Sequence, residues 1–345
     1  MTAARRIALA LLTVPVAGFC AWAIAALAID GPTSQLFSAS LARPVAGVLA
    51  LASLGCLVLV RPYRRALLVL GVLSLAVLAW WLHIPPSNDR DWLPDVARAA
   101  RAHVEGNRVT VENVRNFDYR SETDFDANWE TRTYDLDKLR GVDLFISFWG
   151  PTLYAHTIMS WEFENSLPLA ISIETRKEKG ETYSALLGFF RQFEQYYVVA
   201  DERDVIGVRD RFRGEHTYLY RLAAPVAGAR ALLLDYLTYA DELADKPKWY
   251  NALTQNCTTS IRNRVIHAGG GLPLDWRLLL NGRLDELLYE RGSIDRSMPF
   301  EELKRRSEIT ERAIAAGESP DFSARIREGL PDYPRSQTPG SFPRP

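Results

Sequence analysis

Three cysteines in 345 residues leave little scope for covalent cross-linking. Cys20 and Cys56 fall inside long apolar runs, so everything after residue 87 holds a single thiol, Cys257. No disulfide can form within that part of the chain. Zinc-binding cysteine pairs are absent, as are a His-Glu-x-x-His helix, a G-x-x-x-x-G-K-[ST] loop and a G-x-G-x-x-G turn after a strand. Gly269, Gly270 and Gly271 follow a helical pattern instead of opening one, so they read as a helix stop and not as a phosphate cradle. No metal and no cofactor is expected. Negative charge is missing from the first 87 residues, which hold one acid, Asp30, against six arginines and no lysine. The remainder carries 35 basic and 41 acidic residues, an acidic excess that argues against nucleic acid as a partner.

What the first 87 residues do contain is long uncharged runs. Ile7 to Ile29 spans 23 residues, more than the roughly 20 helical residues that cross a hydrocarbon core. Val45 to Val60 and Ala66 to Ile84 are shorter runs of 16 and 19 residues, and the former can be lengthened backwards past Pro44 and Arg43 through Leu36 to Leu41. Arg5 and Arg6 precede the first run, while Arg61, Arg64 and Arg65 separate the second from the third. Cytoplasmic loops hold the excess of positive charge, so three spans with the N-terminus inside export everything after about Pro85. Trp80, Trp81 and His83 close the third run with interfacial residue types. The first run is long, is followed by two more, and lacks a convincing small-residue cleavage site, so it reads as a retained span. The sequence predicts a multi-pass membrane protein with its C-terminal part exported.

Three regions follow: a membrane anchor over residues 1–87, a folded domain over 88–330, and a disordered tail over 331–345 with five prolines in fifteen residues. Within the domain, Asp91 to Glu105 reads as a helix rich in Ala and Arg. Short β-branched and aromatic runs then predict strands at Val109–Val114, Trp129–Leu136, Val142–Phe148, His156–Phe163, Leu169–Arg176, Tyr196–Ala200 and Tyr218–Leu222. A short helix is expected at Leu186–Phe193, and longer ones at Pro225–Leu243 and Thr258–His267. Strands followed by helices give an α+β class.

Cys257 sits in the polar stretch Asn256-Cys257-Thr258-Thr259-Ser260, at the opening of a helix whose apolar periodicity begins at Ile261. A helix N-terminus stabilises a thiolate, which makes Cys257 a candidate nucleophile; the competing reading is a small buried hydrophobe. A nucleophilic thiolate needs a base. His267 lies ten positions along the same helix, roughly 15 Å away at about 1.5 Å per residue, too far for proton exchange. His103 falls on the expected helix beside the membrane and His216 in a charged loop with Arg211, Arg213 and Glu215. His156 opens a strand that turns through Asn165 to Pro168 into the next. With an odd-length turn, even-numbered positions of both strands share a face, which brings Ser172 and Glu174 beside His156. Either could orient the imidazole, with Glu162 as a further alternative.

These segments also carry a resemblance. His156-Thr157, Trp161-Glu162-Phe163, Ile171-Ser172-Ile173-Glu174, Gly180-Glu181-Thr182-Tyr183, Tyr197 through Asp204, Tyr218-Leu219-Tyr220-Arg221, Trp249-Tyr250-Asn251 and Asn256-Cys257-Thr258-Thr259 resemble the bacterial family defined by the periplasmic N-terminal domain of the lipoprotein N-acyltransferase Lnb, over about 140 to 275. The order of His on a strand before Cys opening a helix is similar to circularly permuted papain-like enzymes such as the lecithin–retinol acyltransferase group. The resemblance implies a permuted papain-like domain with an antiparallel sheet, His156 as base, Cys257 as nucleophile, and acyl transfer from a phospholipid to a lipoprotein amine. In Lnb the domain comes first and membrane helices follow, whereas here three predicted spans come first.

Asn256, Tyr250, Arg203 and Tyr183 are the candidate substrate-binding residues. Arg203 with Asp201, Glu202 and Asp204 either lines a headgroup pocket or braces the loop after a strand, and Trp249 and Tyr250 either wall a cleft or belong to the core. Phospholipid or lipoprotein is the expected partner in a membrane setting, with the oligomeric state open. Two other functions fit the same residues: a cell-envelope cysteine hydrolase of peptide or amide bonds, and a non-enzymatic envelope scaffold in which Cys257 is packing.

Overall fold

The computed structural model describes residues 3–34, 38–150 and 153–334. The chain divides into two compact units, one holding Met1–Ser87 with Tyr183–Glu194, the other holding Asn88–Thr182 and Gln195–Pro345.

In the first unit, helices α1 (Ala3–Asp30), α2 (Ala39–Leu59) and α3 (Tyr63–Leu82) are each long and apolar enough to cross a membrane. The second span starts at Ala39, so the backward extension through Arg43 and Pro44 is helical. Small side chains are buried among them, with Ala23, Ala26, Ala42, Ala46 and Ala66 joined by Leu67, Leu70 and a Trp22–Trp81 ring contact, which lets apolar helices approach closely where lipid removes any hydrophobic incentive to associate. Leu11, Val48, Leu51, Leu54 and Leu75 face outward.

The second unit is a three-layer structure around a mixed sheet. Its strands are β1 (Arg101–Glu105), β2 (Arg108–Arg115), β5 (Trp129–Asp135), β6 (Leu139–Phe148), β7 (His156–Phe163), β8 (Leu169–Arg176), β9 (Glu194–Ala200) and β10 (His216–Arg221), in the order β1-β2-β9-β8-β7-β6-β10 with β5 also on β2; β3 (Asp118–Tyr119) and β4 (Phe125–Asp126) form a separate pair. Most pairings are antiparallel, but β2 and β9 run parallel at Arg115 and Ala200, which corrects the expected antiparallel sheet. Alternation along β7 divides the core: Met159, Trp161 and Phe163 pack with α6 (Val226–Asp245), α7 (Cys257–His267), α8 (Leu284–Glu290) and α9 (Phe300–Ser307), while Ile158 packs with α4 (Glu202–Val205), α10 (Thr310–Ala316) and α11 (Phe322–Arg325). The short helix α5 (Gly207–Phe212) follows α4 directly.

Asp91 to Glu105 is not the expected helix. A 3-10 turn at Pro94–Val96 is followed by β1, which forms a hairpin with β2. The turn takes Gly106 in the left-handed region at φ +61°, so tertiary pairing overrides the helical propensity of the Ala- and Arg-rich stretch. His103 consequently lies on an exposed strand beside Glu105. Between Leu186 and Phe193 only Leu187–Phe189 is helical, as a single 3-10 turn. Within the expected tail, Tyr333 is fixed, donating to Glu162 at 2.9 Å. Residues 335–345 lie outside the described residues.

The C-terminal helices are tied to the sheet by charge. The guanidinium of Arg327 meets Asp143 on β6 at 2.6 Å and Glu202 on α4 at 2.6 Å, and Ser160 on β7 donates to Glu202 at 2.6 Å. All three charged groups are buried. Arg327→Met leaves two buried carboxylates without their cation and costs about 3–5 kcal/mol. Thermal unfolding in detergent should show a clearly lowered midpoint, and an unchanged one would refute this account of how the C-terminal helices are held.

Candidate functional site

His156 begins β7, opposite Ser147 on β6, and its neighbour β8 is registered so that Ile158 pairs with Ser172. The shared-face expectation for even-numbered positions therefore holds. His156 Nε2 lies 2.7 Å from Ser172 Oγ, which donates to Glu174 Oε1 at 2.8 Å. Because Ser172 spends its one proton on Glu174, it can only accept from His156, which puts a hydrogen on Nε2 in either charge state and leaves Nδ1 as the nitrogen that gains or loses a proton. Glu174 itself is 3.8 Å from the imidazole, so Ser172 relays between them.

A further shell fixes Glu174. Arg209 on α5 donates to Glu174 Oε1 at 2.8 Å and reaches Glu215 at 3.1 Å; Ser147 donates to Glu215 at 2.6 Å. Burial pushes the Glu174 carboxyl up, but the guanidinium of Arg209, then the charge of His156, hold it well below the usual carboxylate range. Glu215 is lowered by the same guanidinium against the same opposing burial.

Cys257 is the first residue of α7. Its predecessor Asn256 caps the helix, accepting from Thr259 N–H at 2.9 Å through Oδ1, and Gly269 at φ +85° ends it, with Gly270 N–H bonded back to Val265. Burial raises the Cys257 thiol. Hydrogen bonding to His156 and that residue's charge, together with the hydroxyl and backbone N–H of Thr157, outweigh burial and bring it down to about 6.

Asn281 carries no signal that sequence reasoning used, because it stands alone in a leucine-rich stretch. Yet it is buried and binds both polar backbone atoms of Ala155, accepting from N–H at 2.8 Å and donating to O at 2.6 Å. It also donates to Thr258 Oγ1 at 2.7 Å and lies 4.0 Å from Cys257 Sγ. One amide thus joins the residue before His156 to the residue after Cys257. Arg209 was likewise missed, since its acidic partners are distant in the chain.

The other sequence candidates are placed as follows. Asn256 is the cap of α7, and Tyr250 is buried in the approach to that helix. Arg203 binds Asn116, Asp118 and Glu318. It lines a recess with Leu167 of the β7–β8 turn, the opposite end of β7 from His156, about 20 Å or more along a strand of that length. Its guanidinium is engaged by all three partners at that recess, far along β7 from His156. Glu162, also at that end, binds Arg140 and Tyr333. Tyr183 belongs to the unit that contains the membrane helices. His216 opens β10 instead of lying in a loop, 3.8 Å from Glu308, and His267 is 3.8 Å from Asp235.

Thr258, Ile261 and Val265 lie three and four residues apart on one face of α7 and line an apolar pocket with Leu144, Met159, Leu232 and Leu288; its void is about 70 Å³. Among the described residues, no three or more His, Cys, Asp or Glu side chains gather as a metal site.

Residues 125–282 match the model of a family described as the Lnb N-terminal periplasmic domain. The matched segment contains His156, Ser172, Glu174, Arg209, Cys257 and Asn281. No curated protein and no solved structure matches the chain.

The charged form of Cys257 is the stabilised one, so its alkylation by iodoacetamide, followed by mass spectrometry of the Cys257 peptide, should rise with pH through about 6. His156→Ala should move that midpoint up towards the roughly 8.5 of an ordinary thiol. Asn281→Ala should raise it less and cost about 1–3 kcal/mol in stability through the unsatisfied groups it leaves. A wild-type midpoint above pH 8 would refute the His156–thiolate pairing.

Proposed function

We propose, from the membership of residues 125–282 in the family of the Lnb N-terminal periplasmic domain, that this membrane protein is a periplasmic thiol acyltransferase anchored in the inner membrane. The proposal is carried by the placement of Cys257 as the first residue of α7, with Asn281 joining its neighbour Thr258 to Ala155, the neighbour of His156; the direction of the thiol's shift agrees with it. A permuted papain-like arrangement, in which the base-bearing strand precedes the nucleophile helix, is the corresponding reading of the fold.

In this reading, His156 Nδ1 takes the thiol proton and the thiolate attacks an ester carbonyl of a phospholipid. The C–S bond forms, the carbonyl π pair moves to oxygen, and the positive end of α7 stabilises the resulting oxyanion. As the carbonyl re-forms, the C–O bond breaks and the lysophospholipid alkoxide takes the proton from His156. A lipoprotein amine then attacks the thioester, giving its proton to His156, and the collapse of the second intermediate forms the amide and returns the thiolate. Ser172 and Glu174 keep the Nε2–H tautomer through both steps, and Arg209 holds Glu174 ionised.

The apolar pocket on the Thr258 face of α7 favours an acyl substrate over a peptide. A peptide backbone entering it would leave its N–H and C=O groups without partners, at a cost of order 1–3 kcal/mol for each group, whereas a hydrocarbon chain loses nothing there. Cys257 and His156 do not line it; Thr258, the residue after the thiol, is where the pocket comes nearest to the nucleophile along α7.

Incubation with phospholipid should yield a Cys257 thioester, seen as an acyl mass increment on that peptide, in wild type and not in Cys257→Ala. His156→Ala should slow its formation by about 10²- to 10⁴-fold. Ala224→Leu, which narrows the pocket, should select against long chains relative to short ones. Turnover of the thioester by water at an equal rate with or without an amine acceptor would replace acyl transfer by hydrolysis. A Cys257→Ala protein with full function in cells would leave the scaffold reading.

A further inference from the structure

Between β8 and β9 the chain runs through Tyr183–Phe193, eleven residues with one charge, Arg191, and six large apolar or aromatic side chains. This stretch groups with the membrane helices. Its attachment is polar and specific. Asp30, fully buried at the C-terminal end of α1, accepts from Gln192 Nε2 at 2.8 Å, from the Arg191 backbone N–H at 3.1 Å and from Trp81 Nε1 of α3 at 2.6 Å. Gln192 also donates to Ile29 O at 3.1 Å and Thr33 Oγ1 at 3.0 Å, and the Arg191 guanidinium lies 4.3 Å over the Trp81 ring. The sole acid of the first 87 residues is thus occupied in latching this stretch.

The latch fixes a depth. It sits where the apolar run of α1 ends and where α3 presents Trp81, the level at which a spanning helix leaves hydrocarbon. From that level the stretch turns tightly around Gly188, burying Phe190 and Phe193 while leaving Leu186 69% and Phe189 45% exposed. Large apolar side chains exposed at this level have the bilayer as the medium adjoining them. We infer that Tyr183–Phe193 is an interfacial membrane segment, in which Leu186 and Phe189 enter the acyl region of the bilayer that α1–α3 span and the Asp30–Gln192 latch holds them there. It gives the domain a second attachment to lipid besides its covalent link to α3.

The test uses the full chain in vesicles of palmitoyl-oleoyl-phosphatidylcholine, with the photoreactive residue benzoylphenylalanine at one position at a time. Probes at Leu186 and Phe189 should form phospholipid adducts at a yield comparable with a probe at Leu51, an outward position on α2, and far above one at Glu105, the exposed tip of the β1–β2 hairpin. Gln192→Ala should lower the adduct yield at Leu186 and Phe189 and leave Leu51 unchanged. Yields no higher than at Glu105 overturn the inference, and an undiminished yield in Gln192→Ala overturns the latch. The readout involves no thioester, so its failure is separate from any failure of the acyltransferase reading.

Discussion

The buried guanidinium of Arg209 is the constraint on which the candidate site depends. It lies between Glu174 and Glu215 and draws β8, α5 and the start of β10 to one point. Two carboxylates around one buried cation are costly unless further donors reach them, and here Ser172 and Ser147 each donate to one. With Glu174 ionised, Ser172 must donate towards it and can only accept from His156. The tautomer of the imidazole is therefore decided by a guanidinium that touches neither His156 nor Cys257.

The alternation of β7 and β8 was legible because a strand with one face in each core must place its polar residues by twos. Register then fixed His156, Ser172 and Glu174 together, and the choice between Ser172 and Glu174 as orienter dissolves because both take part in sequence. The opening of α7 was legible for a local reason: Asn256 bonds Thr259, three residues away. What could not be read was long-range. Arg209 and Asn281 resemble any other arginine and asparagine until the fold brings Glu174, Ala155 and Thr258 to them. The misread stretch Asp91–Glu105 shows the same limit, since its helical composition was outweighed by pairing with β2.

The membrane unit has a similar logic. An acid at the end of an apolar span is costly unless its oxygens are satisfied, and Asp30 is satisfied by Trp81 and by a stretch of chain some 160 residues away. Asp30 was read from the sequence only as a charge count. Its position at the close of α1 was the one available sign that something polar must meet it.

Under the proposed reading, the decisive question for the chemistry is what reaches a thioester on Cys257 first. Water and an amine attack the same carbonyl, and nothing in the Cys257–His156 pair prefers one over the other. Selectivity must come from what covers the carbonyl once the chain is bound. The pocket on the Thr258 face of α7 is lined mostly by aliphatic side chains, so an acyl chain filling it excludes water from that face of the helix. Asn281 fixes the end of β7 against the start of α7, through Ala155 and Thr258. An acceptor amine carried by a lipid-anchored protein would approach along the membrane surface, where its local concentration is set by two dimensions instead of three. Anchoring thus favours transfer over hydrolysis by raising the amine and not by excluding every water.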